Sequence, residues 1–378
     1  MILKQGMKIV LALAGTTAFA QAGQTFRPMS GIYGPYLDLS VSRPKVRLEI
    51  WAPDGRDVTV AEMKVDDRVV EAQYKKSARA LEYIPEASLA PGEHVIQCRV
   101  GFKGTPVYKT GWKFRVLPNA MADLPAPTKE QDEALAILNQ YRKGMGLPDF
   151  VSDRVLNFAA AKHANYCSTH DVIGHEQVPG KEGFMGVSSF ERLSCLGWIG
   201  QSFEGVTHGE SDIEEAVSSL FDSPYHRLPF LQPGIVPFGA GRVGDKMTVE
   251  IGTGNTEGFT VSPGPGQTDV PTKWDRLETP DPLRFHKGHE VPTGYPIVVS
   301  LFGEERNLKG VQAEVQLAGK PVAIFLNTPQ NDSELTAAAF LIPQKPLKPG
   351  ATYDVSVQGT DEKGNAVVKR WSFTTAKE

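Results

Sequence analysis

The stretch SDIEEAVSSLFDSPYHRLPFLQP, Ser211–Pro233, fixes one element and its end. Ser211 and Glu214 stand three apart, the spacing of a helix-capping box. Ile213, Ala216, Val217, Leu220 and Phe221 then recur at i, i+3, i+4, i+7 and i+8, the apolar face of a helix. Pro224 stops that helix, since proline lacks the N–H and disfavours helical geometry in the residue before it. His226 and Arg227 therefore fall just past the stop. One imidazole at a helix end says little until its surroundings are known.

Upstream, the sequence stays helical in character. TKEQ, Thr128–Gln131, is a second capping box, and Leu135, Ile137, Leu138 and Tyr141 supply an apolar stripe that Gly144 and Gly146 end. A further helix is expected over Asp153–Tyr166. Downstream, VPFGAGRVGDKMTVEIG reads as two short strands around Gly244-Asp245. Residues 125–258 carry 10 Lys and Arg against 18 Asp and Glu, a balance that favours a cation over an anionic substrate.

The flanks differ in kind. LAPGEHVIQCRVGFKGTPVYKTGWKFRV, Leu89–Val116, and LKPGATYDVSVQGTDEKGNAVVKRWSFT, Leu347–Thr374, share L-x-P-G, a strand, a glycine-containing turn and W-x-F. Alternating apolar and polar residues around glycine-rich turns are a hairpin signature. Residues 24–118 and 262–378 are thus expected to be two all-β sandwiches of immunoglobulin-like type, bracketing a helical domain at 125–258. LPNAMADLPAPT, Leu117–Thr128, and SPGPGQTDVP, Ser262–Pro271, have linker chemistry.

The N-terminus reads as a secretory signal over residues 1–22: Lys4 and Lys8, then IVLALAGTTAFA, then a small-residue cleavage pattern. A periplasmic or secreted protein is expected, with no transmembrane segment, because no later apolar run is long enough. In that oxidising setting Cys167 and Cys195 are candidates for a disulfide. Cys98 alternates with Ile96 and Val100 and reads as a buried strand residue. The net charge of −4, without a basic stripe, argues against a nucleic-acid partner.

Several motifs fail on context. GAGRVG, Gly239–Gly244, has glycines at dinucleotide-binding spacing, but a strand follows where a helix N-terminus is required, so no nucleotide cofactor is expected. HEQVP, His175–Pro179, lacks the second histidine of a zinc-protease helix. No G-x-S-x-G elbow occurs. HKGH, His286–His289, lies in a proline-rich stretch and reads as solvated loop. His163 reads as a packed helix histidine. His175, Glu204 and His226 remain, all expected at loop–helix junctions from which they could converge on one cleft and a divalent ion.

The order of these elements resembles the CAP superfamily (cysteine-rich secretory, antigen 5, pathogenesis-related), in its bacterial branch. ILNQYRKGMGLPDF matches its opening helix through Asn139, Arg142, Gly146 and Leu147. GHEQVPGKEGFMGVSSFERLSCLGW matches its histidine loop and following helix through His175, Phe190, Arg192, Gly197 and Trp198. FEGVTHG stands at its G-E-N-I-A-x-G, SPYHR at its S-P-G-H-R, and FGAGR at its G-V/I-G strand. The resemblance implies an α+β chain with a central α-β-α sandwich. It also implies a cleft in which His175 and His226 are metal ligands, possible for zinc or another divalent cation, and Glu204 is the acid/base. The family's second glutamate has no match, and Asp222 and Ser223 occupy its neighbourhood. Asn139, Arg142, Arg192, Asp222 and Arg227 are expected to support the cleft, with Arg227 holding carbonyls near the turn. The implied function is a binding module for a cell-envelope, polysaccharide, lipid or protein ligand. The alternatives are a metal-dependent hydrolase of peptides or esters and a structural spacer.

Overall fold

The computed structural model describes residues 29–378 except 52–55, 77, 255, 276–277, 304–305 and 378, so the expected leader lies outside the described residues. The first unit is all strand. In chain order these are β1 (Met29–Gly34), β2 (Asp38–Val41), β3 (Val46–Ile50), β4 (Val58–Val65), β5 (Arg68–Val70), β6 (Gln73–Lys75), β7 (Ala80–Tyr83), β8 (Gly92–Phe102) and β9 (Tyr108–Met121). They form two sheets, ordered β1-β3-β7-β6 and β2-β9-β8-β4-β5. Strand alternation aims Val46, Leu48 and Leu81 of one sheet and Ile96, Cys98, Val100 and Phe114 of the other into one apolar layer. Cys98 is buried there as expected, and burial pushes its thiol up to about 12. The stretch expected as a linker begins as strand, because β9 runs on to Met121 and pairs there with Val41.

The central unit follows. It comprises α1 (Lys129–Gly144), β10 (Val151–Ser152), α2 (Arg154–His170), α3 (Ser189–Ser194), β11 (Ser202–His208), α4 (Ile213–Asp222), α5 (Pro224–Arg227), β12 (Pro237–Val243) and β13 (Lys246–Gly252). Its sheet is ordered β10-β12-β13-β11. The Thr128 capping box forms as expected, with Gln131 and Thr128 exchanging side-chain and backbone bonds. The cap of α4 sits one residue later than expected: Asp212 accepts from the Glu215 amide, while Ser211 donates to the Glu215 carboxylate. Pro224 ends α4 and also opens α5, where its fixed φ suits a first helical turn, so His226 lies on a short helix and not in a loop.

The glycines rejected as a nucleotide fingerprint have a packing role. A Cβ on Gly239 would stand 2.2 Å from the Asn157 amide nitrogen, and one on Gly241 would stand 2.2 Å from the Cα of Ala161. Bare backbone is what lets α2 lie directly on β12.

The last unit holds β14 (Gly258–Ser262), β15 (Ile297–Phe302), β16 (Lys309–Leu317), β17 (Lys320–Pro321), β18 (Ile324–Asn327), β19 (Ala338–Pro343), β20 (Thr352–Thr360) and β21 (Ala366–Thr374). Its sheets run β14-β15-β19-β18 and β17-β16-β20-β21 around a shared core. The two sequence-related segments are hairpins, β8–β9 and β20–β21. Trp112 Nε1 donates to the Pro35 carbonyl at 2.8 Å, and Trp371 Nε1 to the Pro263 carbonyl at 3.0 Å. The repeated W-x-F thus encodes the same anchor twice.

Both flanks are fused to the middle by apolar packing. Leu156, Ala159, Leu193 and Leu196 of α2 and the α3 turn join the first unit's core. Leu220, Phe230 and Leu231 join Val298, Ala338 and Phe340 of the last unit.

Candidate functional site

β13 alternates Met247, Val249 and Ile251 on one face with Thr248 and Glu250 on the other. Glu250 stands opposite Glu204 on β11 and opposite Gly239 on β12. Gly239 abuts α2, so this row of three faces α2. Gly205, Val249 and Ala240 form the next row and face the other way. Glu204 and Glu250 are therefore neighbours on the α2 face, both buried.

Glu204 is closely held. Arg192 Nη2 donates to its Oε2 at 2.5 Å, His175 Nδ1 donates to its Oε1 at 2.9 Å, and its side chain is 3% exposed. Burial pushes the Glu204 carboxyl up, but the His175 hydrogen bond and the Arg192 charge outweigh it, and its pKa lies below the usual carboxylate value. Glu250 behaves oppositely. Burial first, and then the charge of Glu204, push its carboxyl well above the usual range. Ser189 Oγ lies within hydrogen-bonding distance of both Glu250 oxygens, at 2.8 and 3.0 Å.

His163 forms the floor. Its Nε2 donates to the Gly174 carbonyl at 2.9 Å, so Nδ1 accepts from Gln177 at 3.1 Å, and the ring is neutral. Burial draws its pKa down accordingly. His163 is the packed helix histidine expected from the sequence, and it belongs to this cluster together with Glu250, which sequence reasoning passed over. The polar residues alternating along MTVEIG were the available signal for Glu250; nothing local marked His163 as part of the cluster.

His226 does not join them. Its ring approaches the position a Cβ on Gly205 would occupy (3.8 Å), beside Leu220 and Val249, on the opposite face of the sheet. Its Nδ1 donates at 2.7 Å to Glu278 Oε1, which also accepts from the His226 amide at 2.9 Å. The expected convergence of His175, Glu204 and His226 thus reduces to His175 and Glu204. Strand alternation is the reason: Glu204 points to one face of β11, and α5 lies against the other.

A divalent ion does not fit this arrangement. Glu204 is already neutralised by Arg192, His163 has both nitrogens engaged, and His226 is across the sheet. Among the described residues, no group of three or more His, Cys, Asp or Glu side chains could hold a metal ion.

The remaining expected residues are framework. Asn139 exchanges two hydrogen bonds with the Phe150 backbone. Arg142 donates to the carbonyls of Pro148, Phe230 and Gly234 over the Phe150 ring, and burial draws its guanidinium down to about 10. Arg227 holds the carbonyls of Phe221, Asp222 and, across the seam, Pro296. Asp222 accepts from Tyr295. Ser223 Oγ donates to the Ser219 carbonyl. His286 is held by Asn327 and stacked on Phe325, a structural loop histidine.

The expected disulfide is corrected: Cys167 and Cys195 are both free. Cys167 lies 3.7 Å from His163 on α2, whereas Cys195 turns to the Arg192 carbonyl at 3.1 Å. Burial pushes both thiols above their usual value.

Comparison with known proteins agrees with this central unit. Residues 135–251 match the family described as CAP, cysteine-rich secretory protein family. No curated protein matches the chain. Similar solved structures include an extracellular SCP-domain protein of Bacillus anthracis, at 11% identity over 56% of this chain and 78% of that one, TM-score 0.30. CopC of Methylosinus trichosporium aligns at 12% identity over 32% of this chain and 96% of its own, TM-score 0.23. SGBP-B of the Bacteroides ovatus mixed-linkage glucan utilisation locus, solved with a mixed-linkage heptasaccharide, aligns at 11% over 97% and 70%, TM-score 0.18. At such scores these three carry no argument; the family match and the residues above do.

Proposed function

Starting from a chain whose residues 135–251 form a CAP domain between two all-β regions, we propose an exported, non-catalytic binding module for a cell-envelope ligand. The observation that carries this reading is the state of Glu204. A general base must reach substrate with a lone pair to spare. Glu204 is buried, ion-paired and hydrogen-bonded on both oxygens, so it serves to hold His175 and Arg192 in place.

His175 is the part that faces solvent, 57% exposed, with Nε2 left over once Nδ1 is committed to Glu204. The segment carrying it also exposes Ile173, Val178, Phe184 and Phe190. An imidazole set among apolar side chains suits a ligand with a polar group on an apolar body. Export is supported by the leader-like N-terminus, and no helix among the described residues is long and apolar enough to cross a membrane.

The test is cosedimentation with purified peptidoglycan and with phospholipid vesicles. Binding that F184A/F190A weakens about tenfold or more, and E204Q leaves intact, is the expected result. Hydrolysis of a peptide or ester by the wild type that E204Q abolishes would refute it.

A further inference from the structure

The seam between the central and last units encloses a second feature, on the opposite face of the sheet from His175. A pocket of about 190 Å³ is lined by Phe203, Leu220, Pro229, Phe230, Val249 and Ile251, with Glu204, Tyr225, His226 and Thr279 as polar members. An apolar cavity of about 150 Å³ holds benzene, so this volume admits one six-membered ring with a small substituent.

The last unit sets the chemistry of the polar end. Glu278, with a side chain 0% exposed, takes both the His226 amide and Nδ1 on its Oε1. A carboxylate in that position only accepts, so Nδ1 carries the proton. In the neutral ring Nε2 is then an acceptor, and it has no hydrogen-bond partner among the described residues. Glu278 Oε2 is also buried without a partner among the described residues. Nε2 of His226 is thus a spare acceptor at this junction, a state that a ligand O–H would satisfy. The arrangement is a carboxylate fixing an imidazole tautomer and leaving the far nitrogen free at an open, largely apolar pocket.

We propose that this pocket binds a compact phenol-type ligand, with its ring on Leu220, Phe230 and Val249 and its hydroxyl donating to His226 Nε2. Glu278 is the positioning residue that presents that nitrogen.

The test uses the full chain at pH 8, where an ordinary imidazole is neutral. Phenol and its O-methyl ether anisole, which has the ring without the donor, are titrated while imidazole ¹⁵N resonances are followed. The His226 signal is assigned by its loss in H226F, whose folding is checked by circular dichroism. Phenol is expected to shift the His226 Nε2 resonance and to bind about tenfold more tightly than anisole, as one hydrogen bond allows. In H226F, which keeps an apolar wall, that preference is expected to vanish. Three results would overturn the proposal: no phenol binding to the folded wild type, equal binding of phenol and anisole, or an unchanged preference in H226F. Leu220→Phe, which narrows the cavity, is expected to weaken both ligands; tight phenol binding in that variant would place the ligand elsewhere.

Discussion

Glu204 and Glu250 stand directly opposite each other on β11 and β13, and the carboxyl of one is drawn below the usual range while that of the other is pushed well above it. In a buried site two neighbouring carboxylates oppose each other's ionisation, and the Arg192 charge favours that of Glu204.

That asymmetry gives a pH dependence. The folded-state pKa of Glu250 is raised, so its contribution is complete below the unfolded value of 4.5 and is lost as pH rises through the folded value. Glu204 is lowered, so its contribution is present above 4.5 and is lost as pH falls through its folded value. Glu250→Gln is of similar shape, does not titrate, and so removes the alkaline-side loss. Urea unfolding should show the variant gaining on wild type with rising pH, by up to about 1.4 kcal/mol per pH unit inside that window. Parallel curves would contradict the upward shift of Glu250.

Removing Arg192 strands the Glu204 charge. Arg192→Met is expected to cost about 3–5 kcal/mol. Arg192→Met with Glu204→Gln should recover part of that in a double-mutant cycle by denaturant melts. Strict additivity would mean the two side chains do not depend on each other.

Gly241 has no room for a methyl group, because its Cβ would meet the Cα of Ala161 at 2.2 Å. Gly241→Ala should destabilise by about 3 kcal/mol or more, at the upper end for overpacking. Gly104, where nothing lies within 4 Å but φ is +78°, gives a control limited to backbone strain.

The two tryptophan anchors make equivalent bonds in separate units. Trp112→Phe and Trp371→Phe should each cost about 1 kcal/mol for the lost hydrogen bond, with repacking added. Their effects should add in the double variant, since no partner is shared. Thermal melts of the three variants check this.

Much of this arrangement was legible from local chemistry. The Thr128 capping box, the apolar face of α4 and the Gly244-Asp245 hairpin are short-range signals, and all three formed. So did the paired W-x-F hairpins. The site was only half legible. His175 and Glu204 meet as the resemblance implied, but Glu204 lies on a strand, and strand parity then sends His226 to the other face. That parity depends on register with β13, a long-range pairing that no local pattern encodes. Glu278 is 52 residues from its partner His226 and reaches it only because the last unit packs on α4 and α5. The free cysteines have the same origin: closeness in sequence did not bring their sulfurs together.

The most direct test of the central claim is a calorimetric zinc titration of the full chain at pH 7.5, beside His175→Ala and His226→Ala. With Glu204 neutralised by Arg192 and the two histidines on opposite faces, no stoichiometric binding is expected, and the variants should match wild type. Binding of about one equivalent, abolished by either substitution, would contradict the account, because it would require both histidines to reach one ion.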